Sequence, residues 1–344
     1  MMNIRFGTDG DYTSHVDASG GYEWWYFDAK HQDFACTIIF FRGMPMSPYY
    51  IESLPHGLPH NYCGFSISVY KNDKKIAGCI HHTKQLEYTS NDHNEISIYV
   101  NNSGFIRHKD GSYTITIDTH GQDLAKAISG SLLFTPSIYN HTHISHQNAE
   151  HEWRLIAPTC TVSGIITLSE YGEDIYTESI SSLGYHDCNH GHVPLYDSYK
   201  DWYWGRIHLN DQFTLVYYHY PSYKDHPAFT CICIEDRILK TLEMIHDAHI
   251  TISKPKYNLF GLNPGSIISV EAMYLHQKCT AIISHQKSIE SGPFYMRYYS
   301  QCKASVQGMQ MISNNGISEY FYAPALQSAF IRMMIKTPIA HQNN

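Results

Sequence analysis

Charge is scarce in this 344-residue chain: Lys, Arg, Asp and Glu together make up 16% of it, with no long block of one sign. Ample apolar surface with so little charge excludes a disordered, self-repelling polymer. The 24 basic residues are outnumbered by 32 acidic ones and form no dense cluster, giving a net charge of −8. That balance argues against nucleic acid or an anionic membrane surface as the main partner. Long apolar runs are missing as well. The longest, such as Phe34–Phe41, are too short to span a bilayer, and the opening stretch MMNIRFGTDGDYTSHVDASGG has no apolar core of a secretion signal. Nine cysteines are scattered, odd in number and never in a C-x-x-C pair, which argues against a disulfide framework. The expectation is a reduced, cytoplasmic protein with no integral membrane segment and an undetermined oligomeric state.

Several chemical signatures are also absent: G-x-G-x-x-G and GK[ST] phosphate loops, a G-x-S-x-G nucleophile elbow, and a helical H-E-x-x-H metal motif. No nucleotide cofactor is implied. His186, Asp187, Cys188, His190 and His192 form one cluster of potential metal ligands, and His141, His143 and His146 another. With 24 histidines in the chain such clusters arise by chance, so the expectation is no metal.

What the chain does have is aromatic residues, 14% of the total and 28 of them Tyr, with Thr, Ile and Val in plenty. Those residues suit a pleated, half-buried surface and predict an all-β protein. The length fits one large or two ordinary domains, with roughly three-quarters of the unfolded surface buried on folding. Alternating or short apolar runs predict strands at Phe34–Phe41, Gly64–Tyr70, Ile96–Val100, Tyr113–Ile117, Thr161–Leu168, Phe213–Tyr220, Phe229–Ile234, Ile267–Tyr274 and Thr280–Ile283. Turn signals separate them at Lys71–Lys74, Asn101–Gly104, Lys109–Gly111, Tyr171–Asp174 and Asn314–Gly316, as in meandering antiparallel sheets or barrels. The best helical period is short, at Asp236–Asp247.

Glu23-Trp-Trp-Tyr reappears 178 residues later as Asp201-Trp-Tyr-Trp, with Asp33 matching Asp211 and Thr37–Phe41 matching Leu215–His219 at the same offset. The repeat predicts two related β-domains, 1–172 and 173–344, joined near Ser169–Tyr176.

The densest polar constellation is Gly184-Tyr-His-Asp-Cys-Asn-His-Gly-His192, followed by Trp202-Tyr-Trp-Gly-Arg206. Glu23, Asp28, Asp187 and Asp201 each stand near Trp or Tyr. A carboxyl group in an apolar aromatic pocket is pushed toward its protonated form and can act as a general acid. Aromatic faces stabilise a cationic carbon by roughly 2 kcal/mol or more when desolvated. Core packing is the competing explanation for each tryptophan, and structural satisfaction for Glu23 and Asp201.

At these residues the chain resembles the carotenoid 1,2-hydratase (hydroxyneurosporene synthase) family and its AttH-like relatives. Glu23–Ala29 resembles the N-terminal signature, Tyr185-His-Asp-x-Asn-x-Gly191 with Asp201–Arg206 the central one, and Pro293-Phe-Tyr-x-Arg297 and Gly316-x-x-Glu319 the weaker C-terminal elements. The resemblance implies two tandem lipocalin-like antiparallel β-barrel domains, a hydrophobic pocket, and cofactor-free hydration or cyclisation of an unsaturated lipophile. It departs in one place: where the family has Asp-His-Asn-Trp-Gly or Asp-Lys-Asn-Trp-Gly, this chain has Asp187-Cys-Asn-His-Gly191.

Asp187 is the expected acid, with His186 or His190 assisting and Glu23 as a second candidate. Trp24, Trp25, Tyr185, Asn189, Trp202, Trp204, Tyr217 and Tyr295 are the expected substrate-binding residues. Three readings stand: hydration or cyclisation of a polyene, terpenoid or polyketide in an aromatic-lined pocket, a pericyclic (Diels–Alder type) cyclase acting by shape, and a lipophile carrier.

Overall fold

Two-residue periodicity becomes strand along most of the chain. The computed structural model describes residues 2–6, 16–84, 86–90, 95–120, 125–137, 142–144, 150–336 and 340–341, without the side chains of 2–6, 142–144 and 340–341. The side chains of His141, His143 and His146 lie outside the described residues. The chain divides into two compact units, residues 1–195 with 329–344, and residues 196–328.

The first unit runs β1 (Met2–Phe6), β2 (Tyr22–His31), β3 (Phe34–Arg42), α1 (Pro48–Ser53), β4 (Cys63–Lys71), β5 (Lys74–Thr83), β6 (Glu87–Ser90) and β7 (Ile96–Val100). It continues through β8 (Ser103–Arg107), β9 (Tyr113–His120), β10 (Lys126–Pro136), β11 (Thr142–Ile144), β12 (His151–Glu170) and β13 (Glu173–Gly191). The one-turn α2 (Leu195–Ser198) lies at the division. The second unit holds β14 (Asp201–His208), β15 (Phe213–Tyr220), β16 (Phe229–Asp236), β17 (Thr241–Ile245) and β18 (His249–Ser253). Then follow β19 (Ile267–Tyr274), β20 (Gln277–Ser291), β21 (Tyr295–Val306) and β22 (Met309–Tyr322), before α3 (Ala329–Lys336) and β23 (Ala340–His341) complete the first unit.

The two units share a strand order. The first sheet runs β5-β4-β3-β2-β13-β12-β10-β9-β8 and the second β17-β16-β15-β14-β22-β21-β20-β19-β18. Position by position the two meanders agree: in each, the first tryptophan-bearing strand pairs antiparallel with the long closing strand. The first sheet adds β7 and β6 at one edge, and β23 parallel to β5 at the other. Each sheet rolls over its own apolar interior. Trp25, Phe27, Phe40, Phe105, Ile115 and Phe134 share one buried cluster; Ile207, Leu215, Tyr217, Ile234, Ile268 and Tyr298 share the other. All nine cysteines are free thiols in buried positions.

Three features differ from the sequence expectation. The division falls after Leu195, not after residue 172, because β13 stays in the first sheet, bonded along its length to β12 and over its second half to β2. Tyr171 and Gly172, both at positive φ, turn the β12–β13 hairpin and do not link domains. The expected helix over Asp236–Asp247 is instead a hairpin: Asp236 Oδ1 accepts from the amides of Ile238 and Leu239, at 2.9 and 3.0 Å, and bends the chain back into β17. Finally, Asn314-Asn-Gly316 makes no turn. It is a bulge inside β22, where Gln301 donates to Asn314 Oδ1 at 2.9 Å and the pairing with β21 slips.

Candidate active site

Alternation along β2 and β13 sorts the candidate residues onto two faces. Opposite pairs Trp24–Asn189, Tyr26–Asp187 and Asp28–Tyr185 share one face; Glu23–His190, Trp25–Cys188 and Phe27–His186 share the other, which looks into the apolar interior. Asp187 is therefore separated by the sheet from Glu23, His186 and His190. His186 lies stacked on Phe27, with centroids 3.8 Å apart, and its Nδ1 is 2.9 Å from the Tyr26 carbonyl. Glu23 and His190 sit in a cross-strand row of buried or half-buried ionisable side chains, Arg42–Glu23–His190–Glu152. There Glu152 accepts from Arg154 Nε at 2.5 Å and lies 3.8 Å from His190 Nδ1. Cys188 and His190, the two departures from the family motif, are both on this interior face.

Asp187 is 4% exposed and gathers three neutral donors. Oδ2 accepts from Trp153 Nε1 at 2.9 Å and from the Tyr185 hydroxyl at 2.7 Å, and Oδ1 accepts from Asn189 Nδ2 at 3.2 Å. Trp153 is fully buried on β12 opposite Asn189. Two residues before it on the same face, His151 Nδ1 hydrogen-bonds the Tyr22 hydroxyl at 2.7 Å. Trp24 covers this pair, stacking on Tyr22 at 5.3 Å and reaching His151 at 5.9 Å. Burial pushes the His151 imidazole down to about 3, against a smaller upward pull from Asn189. The ring is thus uncharged at neutral pH. His151 and Trp153 were not among the expected residues; the signal was the spacing His-x-Trp, which puts both on one face of a strand.

Burial of neutral imidazoles has a consequence for stability. His285, stacked on Tyr298 in the second unit, is likewise driven down to about 4 by burial. Their folded-state values lie below the unfolded one near 6.5, so the unfolded chain binds more protons below that pH. Their contribution is complete above pH 6.5 and is lost as the pH falls toward 4 and then 3. Denaturant unfolding should show stability dropping by about 1.4 kcal/mol per pH unit for each histidine across that window. Replacement of His285 by Gln should flatten the slope measurably; an unchanged slope would sink the assignment.

The second unit repeats the arrangement with different chemistry. At the 178-residue offset Trp24 matches Trp202 and Tyr26 matches Trp204. Trp204 pairs with Glu319 as Tyr26 pairs with Asp187, so Glu319 holds the equivalent place on the closing strand. The row reads Tyr218–Trp204–Glu319–Arg297–Glu290. Arg297 donates from Nε to Glu319 at 2.9 Å and from Nη1 to Glu290 at 3.0 Å. Its guanidinium lies 5.2 Å from the Tyr295 ring centroid. Burial raises the Glu319 carboxyl, and Arg297, with Tyr295, pulls it back in part. Trp202 stacks on Phe321 at 4.1 Å on this same face. Tyr217 points the other way, its ring against Gly205, where any Cβ would come within 2.5 Å. Asp201 is also on the interior face; burial raises its carboxyl, and Tyr320 donates to its Oδ2 at 3.2 Å.

Two rolled lipocalin-like sheets, one with a buried carboxyl group held by Trp, Tyr and Asn on an aromatic face, are the frame of a lyase-type enzyme of the hydratase kind. The carotenoid hydratase CrtC family matches residues 38–343, and the chain belongs to it. It is 26% identical over 353 residues to a hydroxyneurosporene dehydrogenase of Chlorobaculum tepidum, covering 96% of this chain and 90% of that one. It is 28% identical to an acyclic carotenoid 1,2-hydratase of Thiocapsa roseopersicina over 58% of this chain, which spans 47% of that relative's length. Among solved structures, CghA superposes with a TM-score of 0.65 at 12% identity over 88% of both chains, a likeness of fold.

Proposed function

We propose that this protein adds water across a carbon–carbon double bond of an acyclic hydrophobic polyene, with Asp187 as the proton donor. The observation that carries the reading is the asymmetric solvation of Asp187. Oδ2 accepts from two buried side chains and Oδ1 from Asn189 alone, at the longer distance, so a neutral acid at this position carries its proton on Oδ1. Transfer breaks that O–H bond, forms a C–H bond at the less substituted alkene carbon and leaves a cation at the other. Trp153 and Tyr185 then hold the carboxylate that remains, with donors already in place. Water attacks the cation, and the proton it sheds returns to Asp187, so the reaction balances without an oxidant or an added cofactor. The uncharged His151 and the rings of Trp24 and Tyr22 suit the developing positive charge, which a charged imidazole would repel.

The names of the matched hydratases support this substrate class. The separating experiment is turnover of an acyclic carotenoid by purified protein in deuterated water. A product heavier by one water, with one carbon-bound deuterium, is expected. An isomer of unchanged composition would instead mean cyclisation, and a substrate recovered unaltered would leave a carrier.

A further inference from the structure

Leu259 is 101% exposed, the most exposed large apolar side chain among the described residues, with Tyr257 at 68% and Phe260 at 46%. All three sit on one loop of the second unit, between β18 and β19. Leu and Phe occupy the two central positions of the turn Asn258–Gly261, where Gly, Pro, Asn, Asp and Ser ordinarily stand. The loop is nevertheless well built. Gly261 N–H donates to the Asn258 carbonyl at 3.1 Å, and Asn258 N–H to the Leu262 carbonyl at 3.0 Å. Asn258 Oδ1 accepts from the amides of Phe260 and Leu262, at 2.9 and 3.0 Å, while its Nδ2 donates to the Gly292 carbonyl at 2.9 Å. Asn263 Oδ1 accepts from Lys256 N at 2.9 Å, and Leu262 is buried in the core of the unit. A loop anchored at both ends thus holds three large apolar groups in water.

Charge indicates what covers them. The chain carries −8 overall, yet between Asp247 and Glu271 there is no acidic residue, and Lys254 and Lys256 immediately precede the apolar tip. Apolar groups beside cations match the layered chemistry of a lipid surface, acyl chains beneath anionic headgroups. We propose that the loop Lys254–Leu262 docks this protein on an anionic lipid bilayer. The proposal draws on the polyene reading in one respect: such a substrate partitions into lipid, and docking would bring the enzyme to it.

The test uses full-length protein and substrate-free vesicles of phosphatidylcholine with phosphatidylglycerol. The wild type should co-sediment, less so at high salt. The double variant Leu259→Asp, Phe260→Asp should lose vesicle affinity by about tenfold or more, and Lys254→Glu with Lys256→Glu by a smaller factor. Both should keep the wild-type melting temperature and the wild-type turnover of detergent-dispersed polyene. Wild type that stays in the supernatant, or a double variant that binds as well as wild type, overturns the proposal. So does loss of self-association in the double variant with no vesicle binding by either protein, which would assign the tip to a second copy of the chain. Vesicle binding through the loop by a protein that leaves polyenes unchanged supports docking while removing the hydration reading.

Discussion

Asp187→Asn should lower kcat by about 10²- to 10⁴-fold, the usual span for removal of a general acid, in a protein that still folds. The amide is the same size, and its oxygen still accepts from Trp153 and Tyr185. Its nitrogen, however, would face Asn189 Nδ2, now 3.2 Å from Oδ1, donor against donor. Some loss of melting temperature is therefore expected alongside the lost turnover. Tyr185→Phe should cost less, about 10- to 100-fold, since one donor to a charged acceptor is worth about 1.5–3 kcal/mol. Glu23→Gln and His190→Gln act from the other face of the sheet and should change stability more than kcat. Initial rates on a dispersed polyene, with circular dichroism melts of the same samples, check all four. Turnover by Asp187→Asn within a few-fold of wild type would remove Asp187 from the chemistry.

Arg297→Met should be the most destabilising of the single changes considered, by about 3 kcal/mol at neutral pH, the low end for breaking a buried pair, because it strands two partly buried carboxylates that the guanidinium now pairs. The deficit should shrink on acidification. Burial already raises Glu319, and without Arg297 its folded-state value rises further above the unfolded one. Such a group stabilises the fold below its unfolded value and loses that contribution as the pH climbs through its folded value. Urea titrations of wild type and variant at pH 7 and pH 5 should therefore show a smaller difference at pH 5. The histidine effects described above are common to both proteins and cancel. A deficit that is constant with pH would mean that lost packing, not an orphaned charge, is what the substitution costs.

The repeat of Glu23-Trp-Trp-Tyr as Asp201-Trp-Tyr-Trp was legible because both copies form the first strand of the same hairpin, and side-chain alternation preserves such a pattern. Where one unit ends was not, since β13 has the same composition whichever sheet it joins, and only its pairing with β2 decides. Period two puts Asp187 beside Tyr185 and Asn189 on one face once the stretch is known to be a strand. The same alternation puts His186 and His190 on the opposite one. What one strand cannot reveal is its neighbour's register: Trp153 and His151 meet Asp187 and Tyr22 only because β12 aligns residue 153 with 189. The Asp236–Asp247 stretch misled because one Asp side chain capping two amides reverses a chain that is helical by period alone.

The ladder between β2 and β13 imposes a wait during synthesis. Glu23 leaves the ribosome 167 residues before its partner His190. At the usual rate of about 5–20 residues per second, that is roughly ten to thirty seconds in which β2 has β3 on one side and an open edge on the other. That edge runs past two adjacent tryptophans, the combination most apt to recruit a neighbouring chain. The strand that completes the aromatic face is thus also the one that ends the nascent protein's exposure, and yield in the cell should depend on what shields residues 22–31 until it arrives.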